Sequence, residues 1–188
     1  TSTLVLTAIV CVAECGQIAC TATLINAGGS PVTVTLCNGS VVTIDAGKTT
    51  GTVTVPAPAD DVYRDAGSVQ ATISTATGGN FEKLVPSTVP AVTSITDTID
   101  TTTVKLTATG TAAEGGNVVY TATVGAPVTD SPVVVTLANG QTITIGVGQT
   151  TGTATFVAPN DALTGHAPIT NSITNVTGGN YENLVADK

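Results

Sequence analysis

Hydrophobic and polar residues alternate along much of this chain, with the period of two that is typical of β-strands. In the second half, Val104, Leu106 and Ala108 alternate with a lysine and two threonines. Asn38-Gly39 and Asn139-Gly140 each lie between two such segments, and Asn-Gly favours the backbone of a tight hairpin turn. In the first half, the alternation predicts strands at residues 3–10, 17–25, 31–37, 40–45, 50–55, 68–75 and 90–99. Short strands at this spacing indicate an immunoglobulin-like β-sandwich.

The second half of the sequence repeats the first. The sequence TTGT at residues 49–52 returns at 150–153, and TGGN at 77–80 returns at 177–180. A period of about 100 residues is too long for a solenoid and suits a chain of separate domains. We therefore predict an all-β protein of two tandem immunoglobulin-like β-sandwich domains in an elongated arrangement. Their predicted bounds are residues 1–99, which end in an acidic linker, and residues 100–188.

The second copy ends before any counterpart of the last strand of the first copy. A sandwich that lacks its last strand has an unpaired edge, which can pair with another chain. We expect the sequence to be a piece of a longer array, with neighbouring repeats as its main partners. We also expect a monomer, and association through the edge strand is the alternative.

The composition is consistent with the predicted strands, and the net charge excludes some classes of binding partner. Aromatic residues make up 3% of the chain and tryptophan and methionine are absent, so the core must be built from aliphatic residues. The chain has 13 acidic residues against 5 basic ones, a formal net charge of −8. Such a surface repels nucleic acid and anionic membranes. No signal peptide is visible, and no segment approaches the ~18 apolar residues that span a bilayer, so we predict no membrane insertion.

The chain offers little that an enzyme needs. Its only histidine, His166, lies in a predicted loop of copy two, whereas all four cysteines lie in copy one. Asp60 and Asp61 are adjacent in a predicted turn, but no aromatic platform for a sugar is evident. Because no base or nucleophile has positioned partners, we predict that the protein is not an enzyme. A ligand-binding adhesive domain, for carbohydrate or another surface, remains the alternative to a structural role.

Several longer stretches of the sequence resemble one family. They are TVKLTATGTAAEGGNVVYTAT, SPVVVTLANGQTITI, VPAPADDVY, TGGNFEKLVPST and TDTIDTTT. The chain resembles the extender repeats of bacterial large adhesion proteins, RTX-type giant adhesins that are secreted for biofilm formation. The resemblance implies immunoglobulin-like domains joined end to end, Ca²⁺ at or near the junctions, an extracellular location on the bacterial cell surface, and a structural role in cell adhesion. The cysteines depart from the family's pattern, and the glycine-rich RTX calcium motif is absent here.

Acidic residues occur mainly in the predicted turns. In a sandwich, the turn after the first strand, the loop before the sixth strand and the end of the last strand lie at the same end. In copy one, this end carries Glu14, Asp60, Asp61, Asp65, Asp97 and Asp100. To this junction, the facing loops of copy two add Asp130 and Glu182. The set in copy two that corresponds to the acids of copy one is Glu114, Asn160 and Asp161. Because carboxylates so close repel each other and Ca²⁺ takes 6–8 oxygen ligands, we predict a Ca²⁺ site where copy one meets copy two, and a weaker one in copy two.

Cys11, Cys15, Cys20 and Cys37 all lie in copy one, and copy two has other residues at these positions. The fold therefore does not require them. An even number of cysteines in an exported protein favours disulfides, and Cys11–Cys20 and Cys15–Cys37 are the candidate pairs. Strand alternation places Cys20 inward and Cys11 outward, so the first pair requires a bulge. Free thiols and a four-thiolate zinc site are the alternatives, although the spacing does not match the usual zinc knuckles.

Overall fold

The computed structural model describes residues 1–161 and 165–187, and these residues form β-strands and no helix. The chain divides into two compact units. The first comprises Thr1–Asp60 and Asp65–Thr98, and the second comprises Asp61–Arg64 and Ile99–Lys188. The predicted all-β class with two tandem β-sandwich repeats is confirmed. Among the described residues, no helix has the length and apolarity needed to cross a membrane.

The first unit has ten strands. They are β1 (Ser2–Ala8), β2 (Cys11–Ala13), β3 (Gln17–Leu24), β4 (Val32–Leu36), β5 (Val41–Ile44), β6 (Thr50–Pro56), β7 (Gly67–Ala71), β8 (Ile73–Gly78), β9 (Leu84–Pro86) and β10 (Ala91–Thr96). One sheet has the order β6-β3-β1-β9, and two smaller sheets have the orders β5-β4-β8 and β2-β10-β7. The pairs β1–β9 and β2–β10 are parallel, and the others are antiparallel.

The core of this unit is aliphatic, as the composition predicts. Leu4, Leu36 and Ile44 are fully buried, together with valines and alanines from both layers of the sandwich. Full burial of one such side chain stabilises the fold by roughly 1.5–3 kcal/mol. Phe81 is only partly buried against this core.

One predicted strand is divided between two sheets in the structure, and another ends earlier than predicted. The predicted strand at residues 68–75 is β7, which pairs with β10, followed by β8, which pairs with β4. The predicted strand at 3–10 ends at Ala8, and the chain continues as β2 alongside β10. Residue alternation alone does not show such a change of sheet, because the inward-facing residues continue through it.

The second unit has seven strands in its described residues. They are β11 (Thr101–Ala108), β12 (Asn117–Thr123), β13 (Val133–Leu137), β14 (Thr142–Ile145), β15 (Thr151–Val157), β16 (Ile173–Thr177) and β17 (Asn183–Ala186). The sheet orders are β15-β12-β11-β17 and β14-β13-β16. The described part of this unit has no counterpart of the β2-β10-β7 sheet. Residues 111–113 and 167–171, which correspond to β2 and β7, are not in strands. In the first unit both β2 and β7 bond to β10, and the described part of the second unit has no strand that corresponds to β10.

The segment Asp61–Arg64 belongs to the second unit, although its sequence lies in copy one. Tyr63 forms an isolated antiparallel bridge with Tyr181. Val62 and Tyr63 pack against the core of the second unit. The unit is therefore built from two separate stretches of the chain, which the repeat pattern alone does not reveal.

Candidate metal site

Three carboxylates of the first unit converge at one edge of the small β2-β10-β7 sheet. Glu14 follows β2, Asp97 follows β10 and Asp65 precedes β7. Because β10 runs parallel to β2 and antiparallel to β7, the ends of the first two strands and the start of the third lie side by side. One carboxylate oxygen from each of the three residues lies within 4.8 Å of the others.

The cluster is electrostatically unfavourable without a cation. Glu14 is buried, Asp97 is partly buried and Asp65 is exposed. The pKa of Glu14 is raised to about 7, chiefly by burial. A hydrogen bond with Asp65 and the negative charges of Asp65 and Asp97 also raise this pKa, whereas a hydrogen bond from the backbone of Thr98 lowers it. Glu14 Oε2 and Asp97 Oδ1 are buried and have no hydrogen-bond partner among the described residues. Two acceptors thus lack the partner that buried oxygens normally require.

The backbone holds Glu14 at this edge. Its N–H donates to Thr96 O (3.1 Å), and the N–H of Cys15 donates to Pro58 O (2.8 Å). Thr98 links Asp60 to the cluster. Its hydroxyl donates a hydrogen bond to Asp60 Oδ1, and its backbone N–H donates to the Glu14 carboxylate. The structure thus brings Glu14, Asp65 and Asp97 together, and Thr98 links Asp60 to Glu14.

The other predicted ligands of copy one lie in the second unit. Asp61 Oδ1 accepts a hydrogen bond from Tyr63 N (2.7 Å). The backbone N–H of Asp100 donates to Glu182 Oε2 (2.6 Å), while Glu182 Oε1 is buried and has no partner among the described residues. Sequence position alone does not distinguish these acids from those of the cluster, because all of them lie in or beside turns.

Two of the three predicted residues of copy two lie beside the histidine. His166 Nε2 lies 3.4 Å from Glu114 Oε1 and 3.4 Å from Asp161 Oδ1, and Asn160 is exposed beside Gly115. The sequence predicts only a loop position for His166, and this arrangement was not predicted. The signal that was available is that Glu114 corresponds to Glu14 and that His166 lies in the loop corresponding to Asp65.

The donor set of the first unit fits a hard cation. All three side chains offer carboxylate oxygens, which suit Ca²⁺, Mg²⁺ or Mn²⁺ better than metals that prefer nitrogen or sulfur. A divalent ion would supply the missing partner of Glu14 Oε2 and Asp97 Oδ1. The residues present therefore fit a metal ion, and three carboxylates leave room for backbone oxygens or water to complete its coordination.

The four cysteines are free thiols in the structure. Cys20 is buried on β3, as the alternation predicts, and Cys11 is exposed on β2 in a different sheet. Cys37 is close enough to Cys20 to contribute to the raised pKa of the Cys20 thiol, after burial as the main cause. The cysteine that influences this pKa is thus Cys37, and not Cys11, the predicted disulfide partner of Cys20. The disulfides themselves stay a prediction.

Comparison with known families accounts for the repeat. A family model described as the LapA domain matches residues 1–98 and, separately, residues 100–188. No curated protein matches the chain. Because the two matches cover nearly the whole sequence, the chain belongs to the LapA domain family of bacterial adhesins and carries two copies of the domain.

Proposed function

We propose that this chain is a pair of structural spacer repeats from a secreted bacterial surface adhesin. Its role is to extend the adhesin in support of cell attachment and biofilm formation, and Ca²⁺ stiffens it. Membership of the adhesin family supports an adhesion-related function outside the cell, and the aliphatic sandwich core supports a mechanical role. The partners in this proposal are neighbouring repeats.

The acidic cluster is the observation that carries the calcium part of the proposal. Glu14, Asp65 and Asp97 would each supply a carboxylate oxygen, and Asp60 is linked to Glu14 through Thr98. Burying a carboxylate beside two others is unfavourable unless a cation or a proton compensates it. Outside the cell, calcium is available at millimolar concentration, so even a modest affinity would fill the site.

Calcium at this edge would hold three distant segments together. Asp97 is followed by Thr98, the last residue of the first unit, and Glu14 and Asp65 come from the loops next to it in space. An ion bound to all three would restrain the segment through which the chain leaves this unit. We propose that this restraint is how calcium stiffens the adhesin at the junction.

Calorimetric titration and thermal unfolding test the site. We expect Ca²⁺ to release or absorb heat on binding and to raise the melting temperature, and the one-site stabilisation at 100 times the Kd is about 2.7 kcal/mol. The variant Glu14→Gln should lose most of this stabilisation, because it removes the buried carboxylate. The matched control is Glu114→Gln, which changes charge equally at the corresponding position of copy two and should keep most of the response, because the site predicted in copy two is the weaker one.

Two results would contradict the proposal. One is the absence of both heat and stabilisation for the wild-type chain at millimolar Ca²⁺. The other is an equal loss of the calcium response in the Glu14 and Glu114 variants, which would show that general surface charge, and not the cluster, binds the ion.

A further inference from the structure

The second unit holds a four-residue segment on a surface whose sequence counterpart on the first unit is more exposed. This surface comprises the turn after β16, around Tyr181, and the loop after β12, around Ala126. In the first unit the corresponding turn follows β8 and the corresponding loop follows β3. The repeated sequence TGGN immediately before Tyr181 and before Phe81 fixes the correspondence.

Backbone hydrogen bonds seat the segment on the second unit. The N–H of Arg64 donates to Asn180 O (2.9 Å), and the N–H of Glu182 donates to Val62 O (3.0 Å). The side-chain amide of Asn180 donates to Arg64 O (3.0 Å), and the Arg64 guanidinium donates to Glu182 O (3.1 Å). The segment thus pairs with the turn through one isolated antiparallel bridge, and this mode of binding uses backbone groups that any similar peptide possesses.

Aromatic side chains supply the apolar part of this contact. The rings of Tyr63 and Tyr181 stack with their centroids 5.5 Å apart. Each hydroxyl donates to a carbonyl of the loop after β12, Tyr63 to Pro127 O and Tyr181 to Ala126 O, both at 2.6 Å. An aromatic residue with a polar end therefore fits this surface closely.

The same positions are open on the first unit. Tyr181 is 3% exposed and Glu182 is 9% exposed in the second unit, whereas Phe81 is only partly buried and Asn80 and Glu82 are exposed. Among the described residues, no backbone group pairs with the N–H of Glu82, which corresponds to the Glu182 N–H that donates to Val62. The difference in exposure is what the presence or absence of a segment would produce.

In the loop after β3, the exposed Ala27 is the counterpart of Pro127. We infer that the surface of the first unit formed by Ala27, Asn80, Phe81 and Glu82 binds the loop of another repeat that carries the sequence Val-Tyr-Arg or a close equivalent. The occupant is an aliphatic residue, an aromatic residue and a basic residue in an extended conformation. The segment seated on the second unit is the precedent for this occupant. The basic residue also suits a chain whose net charge is −8. This inference uses the repeat structure and does not depend on calcium.

A synthetic peptide with the sequence of residues 59–66, Ala-Asp-Asp-Val-Tyr-Arg-Asp-Ala, is the probe. We expect it to shift the amide NMR signals of Asn80–Glu82 and Ala27 in the isotope-labelled full chain, saturably and with a Kd of about 1 mM, since a short unrestrained peptide pays the full cost of ordering. The signals of Asn180–Glu182 should not move, because their surface is already covered. A peptide with alanine in place of tyrosine should bind about tenfold more weakly.

A variant of the protein provides the second arm. Asn80 has a positive φ of 53°, so Asn80→Gly keeps this backbone conformation available while it removes the side-chain amide that corresponds to the Asn180 donor. We expect this change to weaken the wild-type peptide several-fold. Binding should be the same in calcium and in a chelator, so that failure of the calcium proposal would leave this result unchanged. Absence of saturable shifts at 5 mM peptide, or equal shifts with the alanine peptide, would overturn the inference; the concentration is about five times the expected Kd.

Discussion

At the residue scale, Glu14 shows how tertiary structure changes an ordinary turn residue. In the sequence it is one of six acidic residues of copy one that are predicted to lie at the same end, and nothing in its sequence neighbours distinguishes it from the other five. In the fold it is buried between Asp65 and Asp97, and its pKa is raised to about 7. Its counterpart Glu114 is paired with His166 and is exposed. The environment, and not the residue type, places one of the two in a cluster of three carboxylates.

The raised pKa of Glu14 predicts how stability depends on pH without metal. The folded pKa of about 7 lies above the unfolded value of 4.5, so the fold favours the protonated form. The resulting stability is fully present below about pH 4.5 and is lost as the pH rises through about 7. We expect the free energy of unfolding in a chelator, measured with urea, to fall over this range relative to that of Glu14→Gln. A difference between the two proteins that does not change with pH would show that Glu14 does not titrate in this way.

At the element scale, the repeated TGGN sequence is explained by contacts of the backbone. Gly78 at the end of β8 has φ +97°, and a Cβ there would lie 2.2 Å from Pro31 O. Gly178 has φ +90°, and a Cβ there would lie 2.1 Å from Pro132 O. Only glycine avoids both the backbone strain and the collision. The recurrence of this sequence in both copies therefore has a steric cause at the start of β4 and β13.

Two alanine substitutions separate strain from collision. Gly39 also has a positive φ, +84°, but a Cβ there would meet nothing within 4 Å. We expect Gly39→Ala to lower the free energy of unfolding by about 1 kcal/mol, the cost of the left-handed backbone alone. Gly78→Ala should cost about 3 kcal/mol because the backbone of Pro31 must also move. Equal losses in urea unfolding would contradict the steric explanation.

Most strands could be predicted from the alternation, because inward-facing residues recur at every second position within one strand. The predicted strands at 17–25, 31–37, 40–45 and 50–55 correspond closely to β3, β4, β5 and β6. The division of residues 68–75 between β7 and β8 could not be predicted, because both strands bury residues of the same core. The three-residue β9 was missed because so short an element carries too few residues to show a period.

At the scale of the whole molecule, sequence copies and structural units do not coincide. The second unit includes Asp61–Arg64, which lie in the first sequence copy. Tyr63 is the main anchor of this segment, through its ring contact with Tyr181 and its hydrogen bond to Pro127 O. The stability of the second unit therefore depends on residues about 40 positions before its continuous part begins at Ile99.

Substitution of Tyr63 tests this dependence. We expect Tyr63→Ala to destabilise the second unit by about 2 kcal/mol, since the ring is partly buried. Tyr63→Phe should cost about 1 kcal/mol, the value of the hydroxyl hydrogen bond. Hydrogen exchange at the amides of β12 and of Glu182 measures the effect, and the amides of β3 in the first unit are the internal control. Unchanged protection of Glu182 in Tyr63→Ala would show that the segment does not hold this unit.

The sequence by itself determined the features that short stretches encode: the all-β class, the repeat of about 100 residues, most strands and the hairpin turns. These follow from side-chain alternation and from local backbone preferences, which act between near neighbours. Only the tertiary structure decided which acids meet and where Asp61–Arg64 lie. Glu14, Asp65 and Asp97 are brought together by the pairing of β2, β10 and β7, and contacts between segments so far apart in sequence are set by the packing of the whole sandwich.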